Sequence, residues 1–210
     1  MKRLLGLMMC SAIGLAANAQ KQNLSFGPTA GFGHAWISNV PNSQYKPAGN
    51  VGVALTYSSL PHLGFGTEVK YSIEGSKSES GSREYETTLD YIRVPLKVMY
   101  FFGDYGNRLR PKVALGPSFG FLVGGNSKVT DNDVQLFKTD AKDLYKGFDV
   151  GLTASAGLNY RLIQNTWFVA DVNYYNGFSN ISETVNNKNK NRNLGINIGV
   201  NFGIGTATAK

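Results

Sequence analysis

Cysteine is almost absent from this chain: Cys10 is the single one among 210 residues, beside only two histidines, His34 and His62. One thiol excludes an internal disulfide, and with two histidines it leaves none of the ligand spacings of a zinc site. General acid–base catalysis also has little to draw on. Beyond the N-terminus no apolar run reaches the ~20 residues that a membrane-spanning helix needs. Neither a phosphate-binding loop nor a dinucleotide fingerprint occurs, since pairs such as Gly31-Phe-Gly33 fit ordinary strand glycines. A net charge of +7 would suit a nucleic-acid partner, yet the basic residues are dispersed rather than gathered on one face.

The N-terminus reads as an address. Lys2 and Arg3 precede an apolar stretch from Leu4 to Ala17, and Ala17-Asn18-Ala19 has the small-x-small form of a cleavage site. This predicts a secretory signal peptide over 1–19, removed after Ala19, rather than a transmembrane anchor. Met8 and Met9 ahead of Cys10 argue against a lipoprotein anchor. Cleavage would take Cys10 away and lower the net charge to about +5. Export sets nucleic acid aside as a partner. The remaining residues, 20–210, suit one domain.

Glycine, aromatic residues and alternation are what the chain has in plenty. It carries 25 glycines, 12 phenylalanines and 11 tyrosines, a mix that suits an all-β protein. Alternation is strictest near the end, where Leu194, Ile196, Ile198, Val200, Phe202 and Ile204 are separated by Gly195, Asn197, Gly199, Asn201 and Gly203. A period of two makes a strand with one apolar and one small polar face. Seven more segments repeat it, at about 23–38, 49–59, 64–75, 89–102, 111–124, 147–162 and 166–178. Short connections (60–63, 103–110, 163–165) follow the even-numbered segments, and long polar ones (39–48, 76–88, 125–146, 179–193) follow the odd-numbered ones. An even number of antiparallel strands, with short turns at one rim and long loops at the other, predicts an eight-stranded up-and-down transmembrane β-barrel in the cell outer membrane. The connection 125–146 is long enough to hold a small helix or lid.

Alternation alone does not say which face looks inward. The second face is dominated by Gly, Asn, Ser and Ala, as expected where side chains crowd a narrow interior. Its ions have both signs: Glu68, Lys70, Glu74, Arg93, Lys97, Asp149, Arg161 and Asp171. Aromatic residues on the apolar face sort by height. Phe26, Tyr57, Phe65, Tyr100, Phe102, Tyr160, Phe168 and Phe202 lie near short turns or termini, and Trp36, Phe121, Phe148 and Tyr174 at the opposite ends. Two such rings around an aliphatic band are what membrane–water interfaces favour. A soluble sandwich or lipocalin-like barrel is the competing architecture. On the membrane reading, a lysine at Ile198 should cost about 2–4 kcal/mol near the bilayer midplane, and much less at Asn197.

The segment Leu89-Asp-Tyr-Ile-Arg-Val-Pro-Leu-Lys-Val-Met-Tyr-Phe-Phe102 resembles the hallmark strand of PorT-like outer-membrane β-barrel proteins. Phe148-Asp-Val-Gly-Leu152, Gly157-Leu-Asn-Tyr160 and the closing 194–202 are similar to that family as well. The resemblance implies an eight-stranded outer-membrane barrel, usually without known activity, and in one branch a component of a protein-secretion apparatus. The closing stretch through Phe202 and Ile204 also resembles a C-terminal insertion signal, with its usual terminal aromatic displaced by the residues Gly205 to Lys210.

Candidates for chemistry each have a plainer reading. Arg93, Lys97 and Glu68, with Asp149, Arg161 and Asp171, could form a selectivity ring; a salt-bridge network filling a bore with room only for side chains is the plainer one. Pro95 lies inside a strand, where it cannot donate to the ladder, and predicts a local bulge. His62 falls in a short turn. His34 has lipid-face parity near Trp36, with Ser38 and Ser179 as conceivable neighbours. Lys188, Lys190 and Arg192 make one loop basic, and Asn180-Ile-Ser182 has the form of a glycosylation acceptor.

These readings assign no catalytic, cofactor-binding or metal residue, and no enzyme activity. They predict a structural or surface-interacting monomer whose long extracellular loops carry the specificity. Alternatives are an accessory of a secretion or envelope-assembly machine, a narrow channel, or a lipid-modifying barrel enzyme. Expected partners are outer-membrane lipid and lipopolysaccharide, with an envelope protein as a further candidate.

Overall fold

The computed structural model describes residues 24–40, 42–132, 134–184 and 188–204; the expected signal peptide lies outside them. Ten strands follow in order: β1 (Leu24–Ser38), β2 (Ser43–Gln44), β3 (Lys46–Tyr57), β4 (Leu63–Ser80), β5 (Arg83–Phe101), β6 (Leu109–Asp131), β7 (Val134–Asp140), β8 (Phe148–Ile163), β9 (Thr166–Gly177) and β10 (Lys190–Ile204). A 3-10 turn, Ala141–Asp143, follows β7. No helix among the described residues is long and apolar enough to cross a membrane.

Eight of the strands close a ring, β1-β3-β4-β5-β6-β8-β9-β10, and every neighbouring pair is antiparallel. The seam is the pairing of first and last strand, from Leu24 opposite Ile204 to Ser38 opposite Lys190. Closure leaves the ring with no free edge, which an open sheet of this length would expose.

The face assignment follows the parity of the sequence. Ile198 is 51% exposed while its neighbour Asn197 is 7% exposed. Phe32, Val51, Val69, Leu96, Leu115 and Val172 all turn outward, and Arg93, Lys97, Lys112, Asp149 and Asp171 are buried inside. An outer surface of exposed aliphatic residues around a charged interior inverts a soluble protein and suits hydrocarbon as the surrounding medium. The two aromatic rings hold in the register. Phe26 pairs with Phe202, Tyr57 with Phe65, and Tyr160 with Phe168 at the short-turn rim. At the long-loop rim Phe121 faces Phe148, and Trp36 lies 6.3 Å from Tyr174.

Three features depart from the sequence reading. The stretches 76–88 and 125–146 are not mainly loops: β4, β5 and β6 run on past the long-loop rim, β7 adds to β6, and β2 pairs with β4. Cross-strand ions hold this outer sheet, with Lys77–Glu84 at 2.7 Å and Lys128–Glu86 at 2.6 Å. The loop 179–193 likewise ends early, because Lys190 and Arg192 already pair with Ser38 and Trp36.

The third correction concerns Pro95. No bulge forms there; the β4–β5 register is the same on both sides, and only the pairings of Pro95 and Val94 with Glu68 and Val69 are missing. A missing N–H removes a rung without inserting a residue, so the strands need not shift. The register shift of β5 against β6 comes earlier, between Asp90 and Tyr91. Pro28 and Pro117 interrupt the ladders to β10 and β5 in the same way. Each follows a glycine that uses the gap. A Cβ on Gly27 would stand 1.8 Å from Val200 O, and one on Gly116 1.8 Å from Leu96 O. Those are the carbonyls opposite the prolines, so the Gly-Pro pairs let neighbouring backbones close in where a rung is lost.

Candidate functional site

The lumen is filled in layers. At the long-loop end Ile37, Leu89, Tyr91, Leu122, Ala141 and Ile181 form an apolar seal, with Val40 and Tyr145 packed against it. These residues come from β1, β5, β6, the 3-10 turn and the connection 178–189, so the chain folds its long loops inward over the mouth. Backbone bonds fix that cover: Lys146 N donates to Ile181 O at 2.8 Å and Ile181 N to Asn189 O at 2.9 Å. At the other end Met99, Phe101 and Ala114 form a smaller seal, and the Arg110 guanidinium lies 4.3 Å over the Phe101 ring.

Between the seals four cations, Lys70, Arg93, Lys97 and Lys112, meet four carboxylates, Glu68, Glu74, Asp149 and Asp171. Arg93 is the centre of the upper layer. It donates to Glu74 Oε2 at 2.7 Å and to Asp149 Oδ2 at 2.8 Å. Its guanidinium lies between the rings of Tyr91 and Tyr175, at 4.7 and 4.0 Å. The carboxylates find further donors: Tyr175 OH and Ser179 Oγ to Asp149 at 2.8 and 2.7 Å, and Ser72 Oγ (2.8 Å) and Asn191 Nδ2 to Glu74. A buried charge is tolerable when it is paired and its remaining lone pairs are bonded, as here.

The lower layer is a second network. Glu68 accepts from Lys97 and lies 3.2 Å from Lys70 Nζ, while Lys112 donates to Asp171 at 3.0 Å. Amides separate the layers: Asn197 Nδ2 donates to Asn50 Oδ1 at 2.7 Å. A cavity of about 20 Å³ remains beside Glu68, Lys97, Lys112 and Asp171, room for about one water. A larger concavity, about 460 Å³, lies on the outward face between Leu55, Phe65, Leu96 and Pro117 and opens to the surroundings rather than to the lumen.

The expected ions are therefore brought together, with two changes. Glu68 serves Lys97 and Lys70 rather than Arg93, which takes Glu74 and Asp149. Arg161 is not part of the network; it sits at the short-turn rim 5.7 Å over Trp167 and donates to Gly106 O. Lys112 has lumen parity in the sequence and completes the pairing with Asp171. What sequence patterning could not supply is the apolar seal, because Ile181 and Ala141 lie in stretches without periodicity.

The other candidates stay apart. His34 faces outward near Tyr45, at a centroid distance of 6.2 Å. Ser38 Oγ donates to Lys190 O, and Ser179 Oγ serves Asp149, so neither hydroxyl is paired with the imidazole. His62 Nδ1 bonds Phe101 O at 2.9 Å, and its other nitrogen lies 3.6 Å from Asp104. The Asn180-Ile-Ser182 acceptor is folded into the upper seal: Asn180 Oδ1 accepts from Ser182 N and Asn189 N. No group of three or more His, Cys, Asp or Glu among the described residues is arranged to hold a metal ion.

The family model of the outer membrane protein β-barrel domain matches residues 18–183, all the ring strands except β10. Among solved structures, OprG of Pseudomonas aeruginosa is similar at 11% identity, covering 88% of this chain and 96% of its own, with a TM-score of 0.54. Neisserial surface protein A is 16% identical over 84% of this chain and 96% of its own, with a TM-score of 0.47. Ail of Yersinia pestis is 14% identical over 86% and 99%, with a TM-score of 0.45. No curated protein matches the chain. With a family match over most of its length and a ring of eight antiparallel strands, the chain belongs to the outer membrane protein β-barrel domain family, and its place is the cell outer membrane.

Proposed function

We propose that this barrel is a non-conducting outer-membrane protein that works by contact, through the sheet and loops at its long-loop rim. One contrast carries the reading: the lumen is filled from seal to seal, while β4 to β7 continue beyond the ring as a sheet with exposed apolar residues. Tyr85, Val134, Leu136 and Phe137 are 40%, 62%, 55% and 58% exposed there. Apolar groups gathered on an otherwise polar surface mark an interaction site, and β7 pairs on one side only among the described residues. Long loops face the exterior in this class of barrel. The barrel acts as a single chain without catalysis, surrounded by lipid and, on its outer face, lipopolysaccharide.

The likeness of Leu89–Phe102 to the PorT-like hallmark strand supports a narrower version, in which the partner on the outer sheet is a component of a secretion or envelope-assembly machine. Both versions are tested by one preparation. Cys10 is the one native cysteine and cleavage after Ala19 would remove it, so a cysteine placed at Leu136 in a Cys10→Ser background is a unique cross-linking handle. Leu136→Cys should capture a protein in intact cells and Ile198→Cys should capture none. Single-channel steps from the purified barrel in a planar bilayer, or equal capture at both positions, would sink the proposal.

A further inference from the structure

The short-turn rim holds three arginines without an anion. Arg108, Arg110 and Arg161 make no ion pair among the described residues. Each of them touches or belongs to the turn 102–108. Arg161 Nη2 donates to Gly106 O at 2.9 Å, and Arg108 Nε donates to Arg161 O at 3.4 Å. The Arg110 guanidinium lies over Phe101 and Tyr105, at 4.3 and 5.4 Å. Arg110 is 4% exposed; its Nη2 donates to Pro61 O at 2.5 Å, and its Nε is buried with no partner.

The carboxylates that could neutralise these groups are engaged or turned away. Asp104, the one acid of the turn, is 78% exposed and leans on His62, and Asp171 belongs to Lys112. Among the described residues the other buried cations, Lys46, Arg93, Lys97 and Lys112, each have a carboxylate. A guanidinium offers five N–H donors in a planar fork matched to two oxygens of an oxyanion. Backbone carbonyls occupy one donor of each of the three; the remaining donors of Arg108 and Arg161 are open to a ligand, whereas those of Arg110 are buried.

We infer that this rim is an anion site and that its ligand is a phosphate group. Several guanidinium forks suit a tetrahedral oxyanion, which has oxygens for more than one of them. Height points the same way. The site lies at the level of the aromatic ring of Tyr160 and Phe168, where the membrane meets water, and Arg108 stacks 5.0 Å over Tyr160. Leu109, Leu162 and Ile163 are 48%, 47% and 70% exposed beside it, an apolar footing for acyl chains. A phospholipid of the periplasmic leaflet supplies phosphate at that height, and free phosphate is the other source.

Trp167, stacked on Arg161, is a built-in reporter, and Trp36→Phe leaves it the single tryptophan. The mature chain is placed in phosphate-free maltoside micelles and titrated with dihexanoyl phosphatidylglycerol, with inorganic phosphate, and with dihexanoylglycerol as the chain-only control. Saturable quenching by phosphatidylglycerol, absent with dihexanoylglycerol, supports the site with a lipid source; saturation by inorganic phosphate at equal or lower concentration supports it with a free one. Arg108→Gln/Arg161→Gln should weaken either response about ten-fold or more, and Arg161→Lys, which keeps the charge and loses the fork, should lie between. Heat-modifiability on gels confirms that the variants are folded. No response to either phosphate ligand, an unchanged response in the double variant, or an equal response to chloride at matched ionic strength (an adventitious ion only) overturns the inference.

Discussion

Arg93 on β5 and Asp149 on β8 meet at 2.8 Å across the lumen although their strands share no ladder, β6 lying between them. The pair is a strut that ties two walls of the barrel, and Glu74 on β4 anchors its other side. Arg93→Leu leaves two carboxylates buried without a cation and should destabilise the barrel by about 3–5 kcal/mol. Lys97→Leu should be milder, since Glu68 keeps Lys70 at 3.2 Å. Urea titrations of reversible folding in micelles measure both, and equal losses would contradict the division into layers.

The outward face is tested by charge at two exposed positions. Ile198→Lys puts an ammonium into hydrocarbon and should cost about 2–4 kcal/mol. Leu136→Lys, on β7 above the ring, should change stability by less than about 0.5 kcal/mol. Asn197→Lys does not keep the mild cost that strand parity alone implies. Asn197 is bonded to Asn50 and Asn173, and its amide fills the space beside Gly31, so a longer side chain there must break a packed polar layer.

Gly116→Ala tests the Gly-Pro pairs. Its Cβ would fall 1.8 Å from Leu96 O, a backbone atom that cannot swing aside, and the β5–β6 contact must open. A loss of about 1–3 kcal/mol is expected for such overpacking. Gly106→Ala, where a Cβ meets nothing within 4 Å, is the matched control.

Acid should loosen the outer sheet before the barrel. Burial works against the ionisation of Glu86, but Lys128 and Lys46 outweigh it and hold its carboxyl below the usual carboxylate range. Such a group binds fewer protons folded than unfolded. Its contribution is whole above the unfolded value of about 4.3 and is lost as pH falls through the lower folded value. Amide protection factors, which take out the intrinsic pH dependence of exchange, should therefore fall in 83–88 and 126–131 on acidification below about pH 4.3, with those of the ring strands unchanged. Glu86→Gln should bring that loss of protection to neutral pH.

The ring was legible because each of its strands separates two media, and a period of two records that difference residue by residue. Ile198 beside Asn197 shows it. The outer sheet was not legible, because Lys77-Ser-Glu-Ser80 carries no apolar residue and no alternation marks it. The ion network was half legible: parity placed Arg93 and Glu74 on one face, but which carboxylate each cation takes depends on strand stagger. The arginine rim left only the weakest trace, since Arg161 is far from Arg108 and Arg110 in sequence and shares one turn with them.

The seal over the long-loop mouth draws Ile37 from the first strand and Ile181 from the loop before the last. Those two residues have no reason to be neighbours until β1 and β10 have zipped together. The seal is therefore complete only once the ring has closed, and a chain halted before closure would leave Ile37 and its two strand edges unpartnered together. Protease resistance of the connection 178–184 would then date the final step of barrel assembly.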